Sequence, residues 1–533
     1  MTDGFSSQPT YDVLAGHDPE SRRRPARWWV VGGVVVLVAA LIGGITYGAA
    51  SLSGGGGQPE DALPAGAVAF AKVDLDPAAG QKLDAIRFLR KFPSLRSRLA
   101  EDADLRKVLF DAVAGDAGWD NVNFAHDVEP WLGQRVGVAA YSPKAFAHGT
   151  SAGGMQSPTV VVALQVGDED KARAGLDRLI AASSASSKPG YVVQDGYALL
   201  AESKPIATSA ADAVAKGTMA EAPTFAADIK GLDDGIMTSW VDGSAASSLG
   251  PVANLYGVGL PGVTAGAGGK GSALSRARLV SSLRFDGPDV LEIAGRVKGA
   301  PEIAGPNVAV HDFADLPATT VAAVGLGGGD GVVASAWKAI HKQIDGSKGA
   351  GRSLDDAVGQ AESQWGLHLP DDLELLVGSN LLLALDRSGL DRSDPSASGI
   401  EVGAHVTTHD PKRADTLIGR LTRDLGTRAP GAHGVVHRVT ADGYVVASSP
   451  AQADRLTQSS GGKRLGDLDA FRRALPDVNG ARFALWVDVQ VVLSDLHGSG
   501  GDVADLKPVA GFGLTATSDG SGNGSFRARL VTR

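Results

Sequence analysis

The chain has 533 residues, 43% of them hydrophobic and 21% charged, which suits a folded protein with a self-sufficient core. Its 50 Lys and Arg stand against 60 Asp and Glu, and the net charge of -10 repels nucleic-acid phosphates, so nucleic acid is not an expected partner. There is no cysteine, which excludes disulfides, thiolate catalysis, Cys-ligated metal sites and an anchor built on a lipidated cysteine.

Residues 1–27 mix Ser, Gln, Pro, Gly and Asp and are expected to form a disordered cytoplasmic tail. Residues 28–50 hold no charged side chain. As a helix they span roughly 34 Å, enough for a bilayer core. Trp28 and Trp29 at one end and Tyr47 near the other suit the two interfacial belts. Arg22, Arg23, Arg24 and Arg27 precede the stretch, and the next basic residue is Lys72. That asymmetry predicts a single-pass membrane protein, N-terminus in the cytoplasm and C-terminal domain outside. The rival is a cleaved signal peptide ending at Gly48-Ala49-Ala50, but the apolar stretch exceeds the usual length of such a segment. Ala40, Gly44 and Gly48 share one helix face and allow self-association, although Gly and Ala are abundant throughout this segment. Residues 51–59 read as a Gly-rich linker.

The rest of the chain repeats itself. LPAGAVAFAKVDL from Leu63 is matched by LPATTVAAVGL from Leu316, and a helical stretch follows each. DVEPWLGQRVGVAAY (127–141) is matched by DDLELLVGSNLLLALD (371–386), and ALQVGDEDKARAGLDRLI (163–180) by AHVTTHDPKRADTLIGRL (404–421). QDGYALLAES (194–203) is matched by ADGYVVASSP (441–450), and TSWVDG (238–243) by ALWVDV (484–489). The partners lie 253, 244, 241, 247 and 246 residues apart in turn, a drift that loop insertions explain. Two α+β repeats are predicted, near residues 60–300 and 310–533.

Within each repeat, short apolar runs such as TVVVALQV read as strands. DEDKARAGLDRLI reads as an amphipathic helix with Ala172, Leu176, Leu179 and Ile180 facing inward. Asp195-Gly196 and Asp442-Gly443 are hairpin signals, and the C-terminal GLTATSDGSGNGSFRARLV forms another hairpin. Several hairpins with helices between them predict antiparallel sheet covered by helices.

The LPAGAVAFAKVDL opening, the EPWLGQRVGV segment and DGYALLAES with its following helix resemble a bacterial domain-of-unknown-function family, numbered 3352, found in membrane-anchored proteins. The resemblance covers most of residues 60–533. It implies an envelope-facing bacterial protein and supplies no catalytic residue or cofactor.

Several segments imitate functional motifs. Gly149-Thr150-Ser151-Ala152-Gly153, beside His148, has nucleophile-elbow spacing but lies in a Gly/Ser loop without the strand–turn–helix it needs. Gly262–Ser272 misses the phosphate-loop pattern at Thr264 and Gly271. In GLGGGDG (325–331) Asp330 breaks the dinucleotide spacing, so a strand-to-helix turn is expected. His405 with His409 and His433 with His437 lie in strand-like sequence, where four residues cover about 13 Å, too far for one metal. Asn523-Gly524-Ser525 reads as a turn rather than a glycan acceptor. The repeated Trp240-Val241-Asp242 and Trp486-Val487-Asp488 predict a core indole and an aspartate that caps the next helix.

No catalytic, cofactor or metal residue is therefore assigned. The expected role is a non-enzymatic binding or scaffold module of the cell envelope. Its partner would be the membrane together with an envelope protein, a wall polymer or a lipid. The alternatives are a carrier of lipid or another apolar ligand and an envelope hydrolase using carboxylates that the sequence does not single out.

Overall fold

Runs of Val, Ala, Leu and Ile alternate with Gly-rich turns along the chain, and these runs become strands because branched and small apolar side chains pack well on a pleated surface. The computed structural model describes residues 57–75, 77–96, 121–143, 145, 146, 158–183, 188–233, 235–243, 276–302, 305–345, 350–386, 401–428, 435–457, 462–496 and 506–533, with residues 106, 107, 110, 114 and 119. The tail and the apolar stretch, with Arg22, Arg23, Arg24, Arg27, Trp28, Trp29 and Tyr47, lie outside the described residues. Among the described residues no helix is long and apolar enough to cross a membrane.

The first half contributes β1 (Ala69–Asp74), β2 (Leu132–Tyr141), β3 (Thr159–Val166), β4 (Gly190–Gln194), β5 (Tyr197–Ala201), β6 (Met237–Asp242), β7 (Arg278–Phe285) and β8 (Val290–Lys298). The second contributes β9 (Thr320–Gly327), β10 (Asn380–Asp386), β11 (Glu401–Thr407), β12 (Val436–Val439), β13 (Gly443–Ala447), β14 (Phe483–Asp488), β15 (Val509–Ser518) and β16 (Gly524–Thr532). All sixteen form one sheet, in the order β12-β13-β11-β10-β9-β14-β15-β16-β8-β7-β6-β1-β2-β3-β5-β4. Every pairing is antiparallel. Adding eight to each strand number of the first half reproduces the order of the second, so the fold is α+β with an internally repeated strand order. The last strands of the two halves zip together, from Gly524 opposite Val297 to Val531 opposite Val290. Ala294 opposite Arg527 marks the centre of this seam.

Helices cover both faces. On one face Phe225, from helix Pro223–Ile229, meets Trp240 edge-on at 5.7 Å and Phe70 at 5.3 Å. In the second half Phe471, from helix Asp469–Ala474, meets Trp486 at 5.3 Å. On the opposite face Phe88, from helix Ala79–Leu89, packs on Phe285. Helix Glu169–Ala182 buries Ala172, Gly175, Leu176 and Leu179, while Ile180 is only half-buried. Gly175 joins that face because any side chain there would run into the Trp131 indole. Asp168 begins this helix by accepting a hydrogen bond from the Lys171 amide at 3.1 Å.

The two Asp-Gly signals resolve differently. Asp195 and Gly196 both have positive φ, 50° and 75°, and form the tight turn between β4 and β5. Gly443 instead opens β13, and the turn is tied by the Thr440 amide donating to the Gly443 carbonyl at 2.9 Å. A side chain at Gly443 would strike the Val406 carbonyl of β11. Gly443→Ala is therefore expected to cost about 1–3 kcal/mol through local overpacking, measured by chemical denaturation.

Candidate functional site: a groove at the seam of the sheet

The repeated Trp-Val-Asp motif ends β6 in the first half and β14 in the second. Both indoles are core residues. Asp488 accepts from the Val491 amide at 3.2 Å and so caps helix Val489–Leu496. Asp488→Ala is expected to cost about 0.5–2 kcal/mol in thermal or chemical unfolding. The segment that follows Asp242 lies outside the described residues, so the matching cap there is not described.

The two indoles have different surroundings. Trp240 donates its ring N–H to Asp228 at 3.0 Å. Asp228 is 1% exposed and also receives Arg278 at 2.6 Å and Lys298 at 3.0 Å. Burial alone would raise the Asp228 pKa, but hydrogen bonds from Arg278, Trp240 and Lys298 outweigh it and hold the carboxyl below its usual range. The folded value is thus depressed. Its stabilising contribution is present above the ordinary carboxylate range and lost as pH falls through the lowered value. In the second half, sequence and register put Ala474, Gly511 and Val531 at the places of Asp228, Arg278 and Lys298. Trp486 accordingly has no hydrogen-bond partner for its ring nitrogen.

A second buried carboxylate sits on the seam. Glu292 of β8 is fully buried and is paired with Arg284 at 2.7 Å, Arg529 at 2.6 Å and Arg527 at 3.3 Å. Arg527 and Arg529 belong to β16, so this carboxylate ties the halves together by charge as well as by the strand ladder. Arg529 also holds Asp286 at 2.7 Å, Arg527 pairs with Asp477, and Arg284 lies 3.4 Å from Asp233.

Above this network lies a groove. One cavity of about 240 Å³ runs over the seam, with Ser282, Thr515, Thr517, Ser525 and Arg527 in its lining and Asp233 and Asp477 on either side. A second, of about 350 Å³, continues toward the strand ends around Lys72, Asp74, Arg135 and Thr238. Leu232 and Asp233 line both, so the two cavities adjoin there. Gln58 and Pro59, the last residues of the predicted linker, line the second. The chain is held there by Tyr197, which donates to the Gly57 carbonyl at 2.7 Å, and by Lys72, which bridges Gln58 and Glu60. Burial pushes the Tyr197 hydroxyl well above its ordinary pKa, so it remains a donor.

The segments that imitate motifs do not gather here. Ser151 with His148, Gly262–Ser272 and His433 lie outside the described residues. GLGGGDG joins β9 to helix Gly329–Asp345, and the Gly328 and Asp330 amides donate to the Ser379 and Gly378 carbonyls. His405 lies in β11 and burial lowers its pKa, while His409 lies beyond the strand. Among the described residues no three His, Asp or Glu side chains are grouped to hold a metal ion. Asn523 sits at the tip of the β15–β16 hairpin and donates to Asp519 at 3.0 Å. That bond and those from Ser521 lower the Asp519 pKa to about 2.

Comparison with known proteins bears on the first half. The profile of a family described as protein of unknown function (DUF3352) matches residues 30–216. Residues 30–216 are thus similar to the DUF3352 family. The DUF3352 match begins inside the apolar stretch and runs through β1 to β5 and the following helix, Lys204–Val214. The seam and the second half lie beyond it. No curated protein and no solved structure matches the chain.

The buried charge networks beside the groove carry no sequence signature. Asp228, Glu292, Arg278 and Arg527 are isolated charges in strands and one short helix. A faint signal existed in the alternation of β16, where Arg527 and Arg529 occupy every second position in an apolar run. Two charges on one side of a strand point to a polar partner on that side.

Proposed function

We propose that this protein is a membrane-anchored, extracytoplasmic binding module of the bacterial cell envelope, holding its partner in the groove over the seam. The observation that carries this reading is a pair of adjoining cavities, one over the seam where strands of both halves meet and one where the linker arrives. Acidic groups around it are engaged with cations: Asp228 with Arg278, Glu292 with three arginines, Asp477 with Arg527 and Asp74 with Arg135. This suits recognition, because paired charges present fixed donors and acceptors. The inclusion of residues 30–50 in the DUF3352 match supports treating the apolar stretch as part of the family's architecture. Six residues lie between Ala50 and Gly57, and the seven steps along the chain reach at most about 25 Å. The groove mouth at Gln58 and Pro59 would then lie close to the outer membrane surface.

Two measurements test this. A reporter fused after Arg533 should be active only outside the cytoplasm, and cytosolic activity ends the reading. A photo-crosslinker at Thr517, inside the groove, should trap a partner that the same group at Val439, on the far edge strand, does not. A bound lipid seen by native mass spectrometry would replace this reading with that of a carrier.

A further inference from the structure

The chemistry of the groove narrows the partner, on the basis of the binding reading above. We infer that it binds a neutral, hydroxyl-rich chain, an extended glycan laid across the seam. The first reason is charge. The seam cavity sets Asp233 and Asp477 against Arg296 and Arg527, and the second cavity sets Asp74 and Asp233 against Lys72 and Arg135. Each holds two acids and two bases, so neither a polyanion nor a polycation gains a net attraction.

The second reason is the supply of donors and acceptors. Ser282 is 1% exposed, lines the seam cavity, and its hydroxyl has no hydrogen-bond partner. A buried hydroxyl left unpaired costs free energy that an incoming polar group recovers. Thr517 and Ser525 share a hydrogen bond at 2.8 Å at the exposed end of the same cavity. Sugar hydroxyls both donate and accept, so they fit a lining that alternates carboxylates, guanidiniums and hydroxyls. The third reason is shape. Together the cavities are of the size that ligand sites have, and their shared wall at Leu232 and Asp233 favours an elongated ligand over a compact one.

The test uses the full chain purified in detergent, titrated calorimetrically with cellohexaose, chitohexaose and maltohexaose, with polyphosphate as the anionic comparison. At least one neutral hexaose should bind, with an affinity that changes little with salt. Ser525→Trp and Thr517→Trp fill the exposed end of the groove without touching the core, and each should weaken binding at least about tenfold. Val439→Trp on β12 should leave it unchanged. Unchanged thermal melting of all three variants separates a blocked groove from a misfolded protein. Failure of every hexaose to bind, binding that survives both groove variants, or a salt-sensitive preference for polyphosphate overturns the inference. The reporter result is independent: an external domain that binds no hexaose removes the glycan assignment and leaves the topology standing.

Discussion

Glu292→Gln is expected to lower the stability of the whole protein by about 3–5 kcal/mol, because it leaves buried cations without their counter-charge. Glu292 is wholly buried and faces Arg284, Arg527 and Arg529 at 2.7, 3.3 and 2.6 Å. Glutamine keeps the shape and one acceptor oxygen but not the charge. The three guanidiniums cannot deprotonate in response, since arginine stays charged in proteins. Arg284 and Arg527 are partly exposed and recover some hydration, which places the loss toward the lower end of that range. The effect should be visible as a shift of the urea midpoint with little change in slope. A shift worth less than about 1 kcal/mol would mean that water already screens the seam and that the strand ladder alone holds the halves together.

Trp240→Phe should cost about 1.5–3 kcal/mol more than Trp486→Phe. Both changes remove similar indole volume from a core position packed against a phenylalanine. Only Trp240 also gives up a hydrogen bond to a buried carboxylate, that of Asp228. Trp486 gives up no hydrogen bond, because its ring nitrogen has no partner. Truncation to alanine should cost each variant about 3–5 kcal/mol through the cavity left behind and keep the contrast, because only Trp240→Ala also deprives Asp228 of a donor. Equal costs for the two Phe variants in chemical denaturation would show that the Asp228 bond contributes no net stability.

The pair of tryptophans also shows how far a sequence can be read. Their repeated motif and its surroundings identified both as core residues and Asp488 as a helix cap, since these depend on local periodicity and on a side chain reaching its own backbone. That Asp228 stands three residues after Phe225, and Ala474 three after Phe471, is visible in the letters. Its meaning is not, because Arg278 and Lys298 reach Asp228 only once β6, β7 and β8 lie side by side.

Strand pairing explains the remaining differences. Asp195-Gly196 behaves as its dipeptide requires, since a two-residue turn is a local matter of φ. Gly443 does not, because the carbonyl of Val406 on a neighbouring strand claims the space beside it. The edge strand β4 likewise depends on tertiary contacts, with Lys204 reaching over to bond the Tyr191 carbonyl at 2.5 Å. This uses an outward backbone acceptor that would otherwise be open to another strand.

What the residues determined by themselves is the set of units: an apolar stretch preceded by arginines, a duplicated order of strands and helices, and the faces that must be buried. Those follow from hydropathy and periodicity, which act over a few residues at a time. Tertiary structure alone decided that the two repeats share one sheet, and that their last strands meet with Glu292 opposite Arg529. The seam cavity exists only because of that meeting. Its walls come from segments more than two hundred residues apart, and no local pattern specifies which strand edges will pair.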